Sequence, residues 1–362
     1  MKRTILLIAA LVMALPWSAK ANGSAGEFAP GSMIIGHVTD AHSWHLFDYA
    51  DSEGNEHAVA IPLPIILIDN GQLHVFSSAH FHHGHADYKG YRLVGADDGM
   101  VKEEIVCVDE AGNITGQKPI DLSITKTSAA VMIACLLLIV LVFIARAGYR
   151  KRPDSAPRGV QSLVEMLVVF VRDSIVRPMI GEKHYRRYLP YLLTLFFFIF
   201  FCNILGLIPI FPAGGNITGN IAVTAILAII TFLITNLSGN RHYWTDIFNT
   251  PGVPAWLKIF PLMPLIEVIG VFTKPIVLMI RLFANITAGH IVILGFITII
   301  FIMSQLFSMG VGAGVGVVSI VFSVFISLLE CLVAYIQAFV FTMLSALYIG
   351  MAVAEPHHAT EQ

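Results

Sequence analysis

The stretch "KPIVLMIRLFANITAGH", Lys274 to His290, decides how this chain is folded, because it sets an arginine inside a run of strongly apolar residues. An arginine at the centre of a bilayer costs about 2.5 to 3.5 kcal/mol even on the gentlest scale, so such residues face protein or water. Arg281 is surrounded by Ile280, Leu282 and Phe283, with no carboxylate nearby in sequence. Its charge never leaves it, so it calls for a polar path or a partner from elsewhere.

Working outward, apolar residues run from Phe260 to about Met309 and again from about Val315 to Ala354, separated by the glycine-rich "GVGAGVG". At 1.5 Å per residue about 50 residues extend about 75 Å, more than twice the hydrocarbon thickness of about 30 Å. Between Arg281 and Glu330 there is no Lys, Arg, Asp or Glu, which disfavours an extra cytoplasmic loop. The expectation is therefore two long, steeply tilted helices forming a hairpin that turns at the glycines.

The polar residues on these helices are patterned. Glu267, Lys274 and Arg281 recur every seven residues, a step that drifts by only about 20° around a helix, and Asn285 continues the same face. On the second helix Glu330, Gln337 and Ser345 form another stripe, with Ser323, Ser327 and Thr342 nearby. Packed stripe against stripe, they would make a titratable path through the bilayer. His290, nine residues after Arg281, falls on the opposite side of the helix, which suits a path divided in two. Histidine and a buried glutamate are the residue types for a proton relay. The plainer alternative makes Glu267 and Lys274 a structural ion pair, and His290 and Glu330 a satisfied buried pair.

The rest of the 362 residues agrees with a membrane setting: 56% are hydrophobic and 13% charged, and the mean hydropathy is +0.76. A formal net charge of -2 with no basic block excludes a nucleic-acid partner. Residues 1–21 read as a secretory signal, with Lys2 and Arg3, an apolar core and the cleavage site Ala19-Lys20-Ala21; an uncleaved anchor is the alternative. Residues 22–127 then form a small extracytoplasmic β-rich domain, from runs such as "SMIIGHV", "HAVAIPLPIILI", "QLHVF" and "EEIVCV" punctuated by "SEGN", "DNG", "DDG" and "AGN". Residues 128–355 form the membrane portion, about five spans in all, and 356–362 a cytoplasmic tail. Arg146, Arg150, Lys151 and Arg152 put the end of the first span in the cytoplasm. "VQSLVEMLVVFVRDSIVRPMIG" carries charges at intervals and reads as an interfacial amphipathic helix. Of the four cysteines, Cys135, Cys202 and Cys331 lie in apolar runs, so no disulfide framework can be drawn.

"KPIVLMIRLFANITAGH" together with "LLECLVAYIQAFVFTMLSALYIGMA" resembles subunit a of F-type ATP synthases, the membrane stator that conducts ions past a rotating c-ring. The resemblance implies that Arg281 is the essential arginine, with Asn285 following it, Gln337 facing it from the last helix, and Glu267 and Lys274 upstream; "NILGLIP" with Asn203 matches the end of the second span. One departure stands out: many bacterial members have Glu at the position of His290 and His at the position of Glu330. That exchange suggests that the two positions meet and share a proton-handling role. The implied function is proton conduction through two offset half-channels, with Arg281 preventing direct leak. The implied partners are the c-ring, b-type peripheral stalk subunits and the lipid bilayer, with one copy per complex in a bacterial inner membrane, N-terminus outside and C-terminus inside. No cofactor is implied, and ATP chemistry belongs to other subunits, since no Walker A loop is present.

Two rival readings remain. A secondary transporter with a buried polar pathway would need broken helices near the midplane. The cluster "SSAHFHHGHADY", with His80, His82, His83, His85 and Asp87, has metal-binding residue types but lacks an accompanying HExxH-type motif.

Overall fold

The computed structural model describes residues 38–50, 56–84, 86–95, 103–109, 113–115, 118–151, 156–208, 215–248, 262–306 and 309–355. The signal segment, most of "SMIIGHV", the turns "SEGN" and "DDG", and the C-terminal tail lie outside the described residues.

The N-terminal region is β-rich, as the turn-punctuated pattern predicts. Strands β1 (Ser43–Ala50) and β2 (Glu56–Pro62) form an antiparallel pair, and β5 (Tyr91–Val94) and β6 (Glu104–Cys107) form another. A separate three-stranded sheet is ordered β4-β3-β7, from β3 (Pro64–Asp69), β4 (Gln72–Ser77) and β7 (Ile120–Asp121). Asn70 and Gly71 make the β3–β4 turn with φ of 49° and 79°, the left-handed pair that a two-residue hairpin favours. Ile65, Leu67, Phe76, Phe81, Tyr91, Leu93 and Ile105 pack as its core.

A buried ionic clamp joins this region to the first membrane helix, α1 (Lys126–Lys151). His42 is only 2% exposed, and its Nε2 lies 2.9 Å from Asp121 Oδ2. The His42 amide donates to Glu103 Oε2 at 2.8 Å. Next to it, the Lys126 amide donates to the Ala41 carbonyl and the Thr127 amide to Asp40 Oδ1, so two of the first amides of α1 are capped by the 40–42 segment. Burial works against charge on His42, yet the hydrogen bonds to Asp121 and Glu103 more than offset it and raise its pKa from 6.5 to about 9. Burial likewise opposes charge on Asp121, but the bonds from His42 and Ser123 lower its pKa to about 2. A second junction is apolar: Trp44 packs with Ala130, Ala134, Cys202 and Ile217.

The membrane portion is helical. After α1 come α2 (Val160–Phe170), a π-helical turn at Val171–Val176, α3 (Arg177–Ile180), α4 (Tyr185–Leu207), α5 (Ile221–Leu237), α6 (Arg241–Phe248), α7 (Leu262–Leu306) and α8 (Met309–Val353). Four of these are long and apolar enough to cross a bilayer, and five spans result if α5 and α6, bent by 101°, count as one. The charged stretch of α2 and α3 is not among them. At 45 residues each, α7 and α8 reach about 67 Å.

One expectation is corrected. The glycines of "GVGAGVG" do not make the hairpin turn; they are helical and belong to the first turns of α8. In lipid an unpaired backbone group costs several kcal/mol, more than the about 1 kcal/mol by which glycine weakens a helix, so the helix runs through them. Helix α7 is described to Leu306 and α8 from Met309, and residues 307 and 308 lie outside the described residues. Because α7 and α8 are otherwise continuous, the unwound midplane segments that a transporter needs are missing among the described residues.

Candidate functional site

The site is carried by the α7–α8 hairpin and the helices packed on it. Gly215, between α4 and α5, lies against Ala130 and Trp44, so that end of the bundle adjoins the β-rich region. Asn203 there is 1% exposed; it accepts from Thr218 Oγ1 at 2.7 Å and donates to the Ala334 carbonyl of α8 at 3.3 Å, tying three segments together.

His290 and Glu330 meet this end of the bundle. The Nε2 of His290 lies beside Gly206 of α4, where an added Cβ would be in ordinary contact with it at 3.7 Å. The Glu330 carboxylate lies against Gly289, the residue before His290, where an added Cβ would fall only 2.0 Å from Oε1. Glu330 is 9% exposed, and among the described residues neither of its oxygens has a hydrogen-bond partner. Gly289 thus admits the carboxylate to the helix junction where the imidazole stands.

Lys274 occupies the other end. Its Nζ stands 5.4 Å from the centre of the Tyr348 ring, beside a cleft lined by Thr231, Thr235, Asn236 and Tyr243. Asn240 caps α8 there: its amide donates to the Ala352 carbonyl and its side chain to that of Val353. Glu267 and Lys274 interact electrostatically but close no salt bridge, so the structural-pair alternative has no bond behind it among the described residues.

Between the two ends is Arg281. It is exposed, within electrostatic reach of Tyr348, and forms no hydrogen bond or ion pair among the described residues. Asn285 and Glu267 are exposed with it, and Lys274 is half-buried. Gln337, Thr342 and Ser345 of α8 are instead buried. The expected packing of stripe against stripe is therefore not what forms: the α7 stripe faces outward, and the α8 stripe faces into the bundle. Its neighbours explain this, since Ala334, Ala338 and Ala346 on the inner face of α8 are fully buried and allow close helix approach.

Sequence reasoning missed Tyr348, although it lies eleven residues, three helical turns, after Gln337 and so on the same face. It also missed Thr224, Thr231 and Thr235, the buried polar edge of α5; the Thr231 hydroxyl meets that of Tyr191 at 2.7 Å. As for the histidine cluster, no group of three or more metal-ligating side chains is found among the described residues. His80 instead bonds the Ser77 carbonyl through Nδ1 and stacks on Tyr88, and His82 is exposed; the side chains of His83 and His85 lie outside the described residues.

A multi-pass helical membrane protein with an ionisable hairpin, fronted by a small β-rich region, is the class these features define. Residues 129–350 match the model of the family described as ATP synthase A chain, and residues 33–122 match that of a domain of unknown function, DUF8433. The chain is 48% identical over 241 residues to ATP synthase subunit a 2 of Chlorobium luteolum, covering 65% of this chain and 67% of that protein. It is 45% identical over 243 residues to ATP synthase subunit a of Myxococcus xanthus, with 66% and 76% covered. The corresponding subunit of Chloroherpeton thalassium is 43% identical over 247 residues, with 67% and 70% covered. The chain belongs to the ATP synthase A chain family, and is thus a membrane-sector subunit of an ATP synthase complex.

Proposed function

We propose that this chain is the proton-conducting stator subunit of an F-type ATP synthase and that Arg281 is its charge barrier. The observation that carries this reading is the outward-facing Arg281, which has no partner of its own among the described residues, midway between two separate polar ends. A permanent cation on the outer face of a membrane helix needs water or an opposite charge beside it, and an anionic group on a neighbouring chain would meet that need. A rotor helix of the c-ring would supply one.

In this mechanism protons enter from the β-rich side past Glu330 and His290, neutralise a rotor carboxylate, and leave after rotation through the cleft by Lys274, Glu267 and Tyr348. Arg281 stabilises the ionised carboxylate as it passes and repels protons that would cross directly. Asn285 and Gln337 flank it as hydrogen-bonding groups on the two helices. Each charge that crosses delivers about 2.3 kcal/mol per 100 mV to the rotor. ATP is made on other subunits, and peripheral b-type subunits hold the single copy of this chain in place. The setting is a bacterial inner membrane, with the β-rich region outside and the C-terminus inside.

The test is proton flux and coupled ATP synthesis in vesicles carrying Arg281→Ala beside the unaltered complex. Loss of coupled synthesis with the complex intact is the expected result. Normal synthesis would remove Arg281 from the mechanism.

A further inference from the structure

The β4-β3-β7 sheet has a second face that the other described residues leave uncovered. Antiparallel partners share a face, and the register pairs Ile66 with Val75, and Ile68 with both Leu73 and Ile120. Leu122 joins them, because its amide donates to the Ile66 carbonyl. The alternate residues Ile65, Leu67 and Phe76 fill the core. Leu73, Val75, Ile120 and Leu122 are 64%, 57%, 62% and 57% exposed, and Ile66 and Ile68 are half-buried between them. Six aliphatic side chains on one continuous face are more than the scattered exposure of an ordinary surface.

We propose that this face lies on the outer leaflet of the bilayer, with acyl chains and the headgroup boundary as its occupant. The argument is position. Leu122 stands four residues before Lys126, where the first span begins, so fully extended chain carries it no more than about 14 Å from the span. The clamp of His42, Asp121 and Ala41 holds the sheet against the start of α1. Met132, Leu136, Val140 and Phe143 of α1 are exposed in turn, so the sheet face continues, along the chain, the apolar surface of a helix long and apolar enough to cross a bilayer. Interfacial apolar faces sink about 5 to 10 Å into the headgroup boundary, a depth comparable with that reach. The face contains no charged side chain, and Asp121 points to its other side, toward His42.

The test replaces Leu73 or, independently, Ile120 with the photoreactive residue p-benzoylphenylalanine in the full chain, assembled in its complex in native membranes. Asn113, exposed and polar, serves as the reference position. After illumination, covalent phospholipid adducts are measured by mass spectrometry. Adducts several-fold above the Asn113 level at both positions are expected. Adducts to another polypeptide, or lipid adducts no higher than at Asn113, would overturn the proposal. Because both positions are on the exposed face, the replacements leave the core untouched, and complex assembly on a native gel verifies this for each.

Discussion

The two long helices are equal in length and similarly apolar, yet they turn their polar stripes in opposite directions. Helix α8 hides Gln337, Thr342 and Ser345 inside the bundle, on a face made thin by Ala334, Ala338, Ala346 and Gly350. Helix α7 shows Glu267, Arg281 and Asn285 to the outside. The difference teaches that a polar stripe in a membrane helix has two meanings. Turned inward it is part of the packing; turned outward it calls for water or a partner that the described residues do not supply.

That contrast can be broken most directly at Arg281. The Arg281→Ala chain should lose coupled ATP synthesis while its thermal stability in detergent stays within about 0.5 kcal/mol, since among the described residues Arg281 makes no hydrogen bond or ion pair to lose. A large fall in stability would mean that the outward face is structural after all.

At the inner face the expectation is reversed. A Cβ on Gly350 would lie 2.0 Å from the Met179 carbonyl oxygen, which is backbone and cannot swing aside. Gly350→Ala should therefore cost about 1 to 3 kcal/mol in thermal unfolding of the purified subunit. Unchanged stability would show that α8 is less tightly seated than its burial indicates.

Glu330 sharpens the comparison, because it is buried yet has no hydrogen-bond partner among the described residues. Glu330→Gln keeps the shape and removes the ionisable group. Proton flux should fall severalfold with stability unchanged or improved, because among the described residues the carboxylate has no hydrogen bond to lose and its neutral replacement is cheaper to bury. Flux at the unaltered level would take Glu330 out of the path.

The smallest effect is expected at the clamp. A His42 pKa raised from 6.5 to about 9 contributes stability that is complete below about pH 6.5 and is lost as pH rises through about 9. Asp121, lowered from 3.8 to about 2, contributes above about pH 3.8 and is lost as pH falls through about 2. Limited proteolysis of the β-rich region in the assembled complex should accelerate between about pH 7 and 10, and His42→Ala should flatten that profile. The same pH profile in both chains would mean that the clamp carries no linkage.

Much of this was legible in the sequence. The heptad spacing of Glu267, Lys274 and Arg281 put them on one face, and the nine-residue offset put His290 on the other, because helix geometry alone settles both. The β-rich character was readable from turn residues such as Asn70-Gly71. What could not be read was the direction in which each stripe faces, because that depends on which helices pack together and not on spacing along one of them. The glycine run misled for a related reason: glycine marks a turn in water, where freed backbone groups find solvent, but not in lipid, where they would find nothing. Tyr348 and the Gly289–Glu330 contact were hidden by sequence distance, joining residues that only the hairpin brings together.

The seven-residue spacing on α7 has a geometric consequence of its own. Because each step drifts by about 20°, the line through Glu267, Lys274 and Arg281 is not parallel to the helix axis but winds slowly around it like a coarse thread. A straight partner helix lying along α7 could stay on that thread only by crossing at an angle, and crossed cylinders touch at a point. A partner that follows the stripe past Arg281 therefore runs askew to the α7 axis, at a shallow crossing angle of about 20°, and not flat along it.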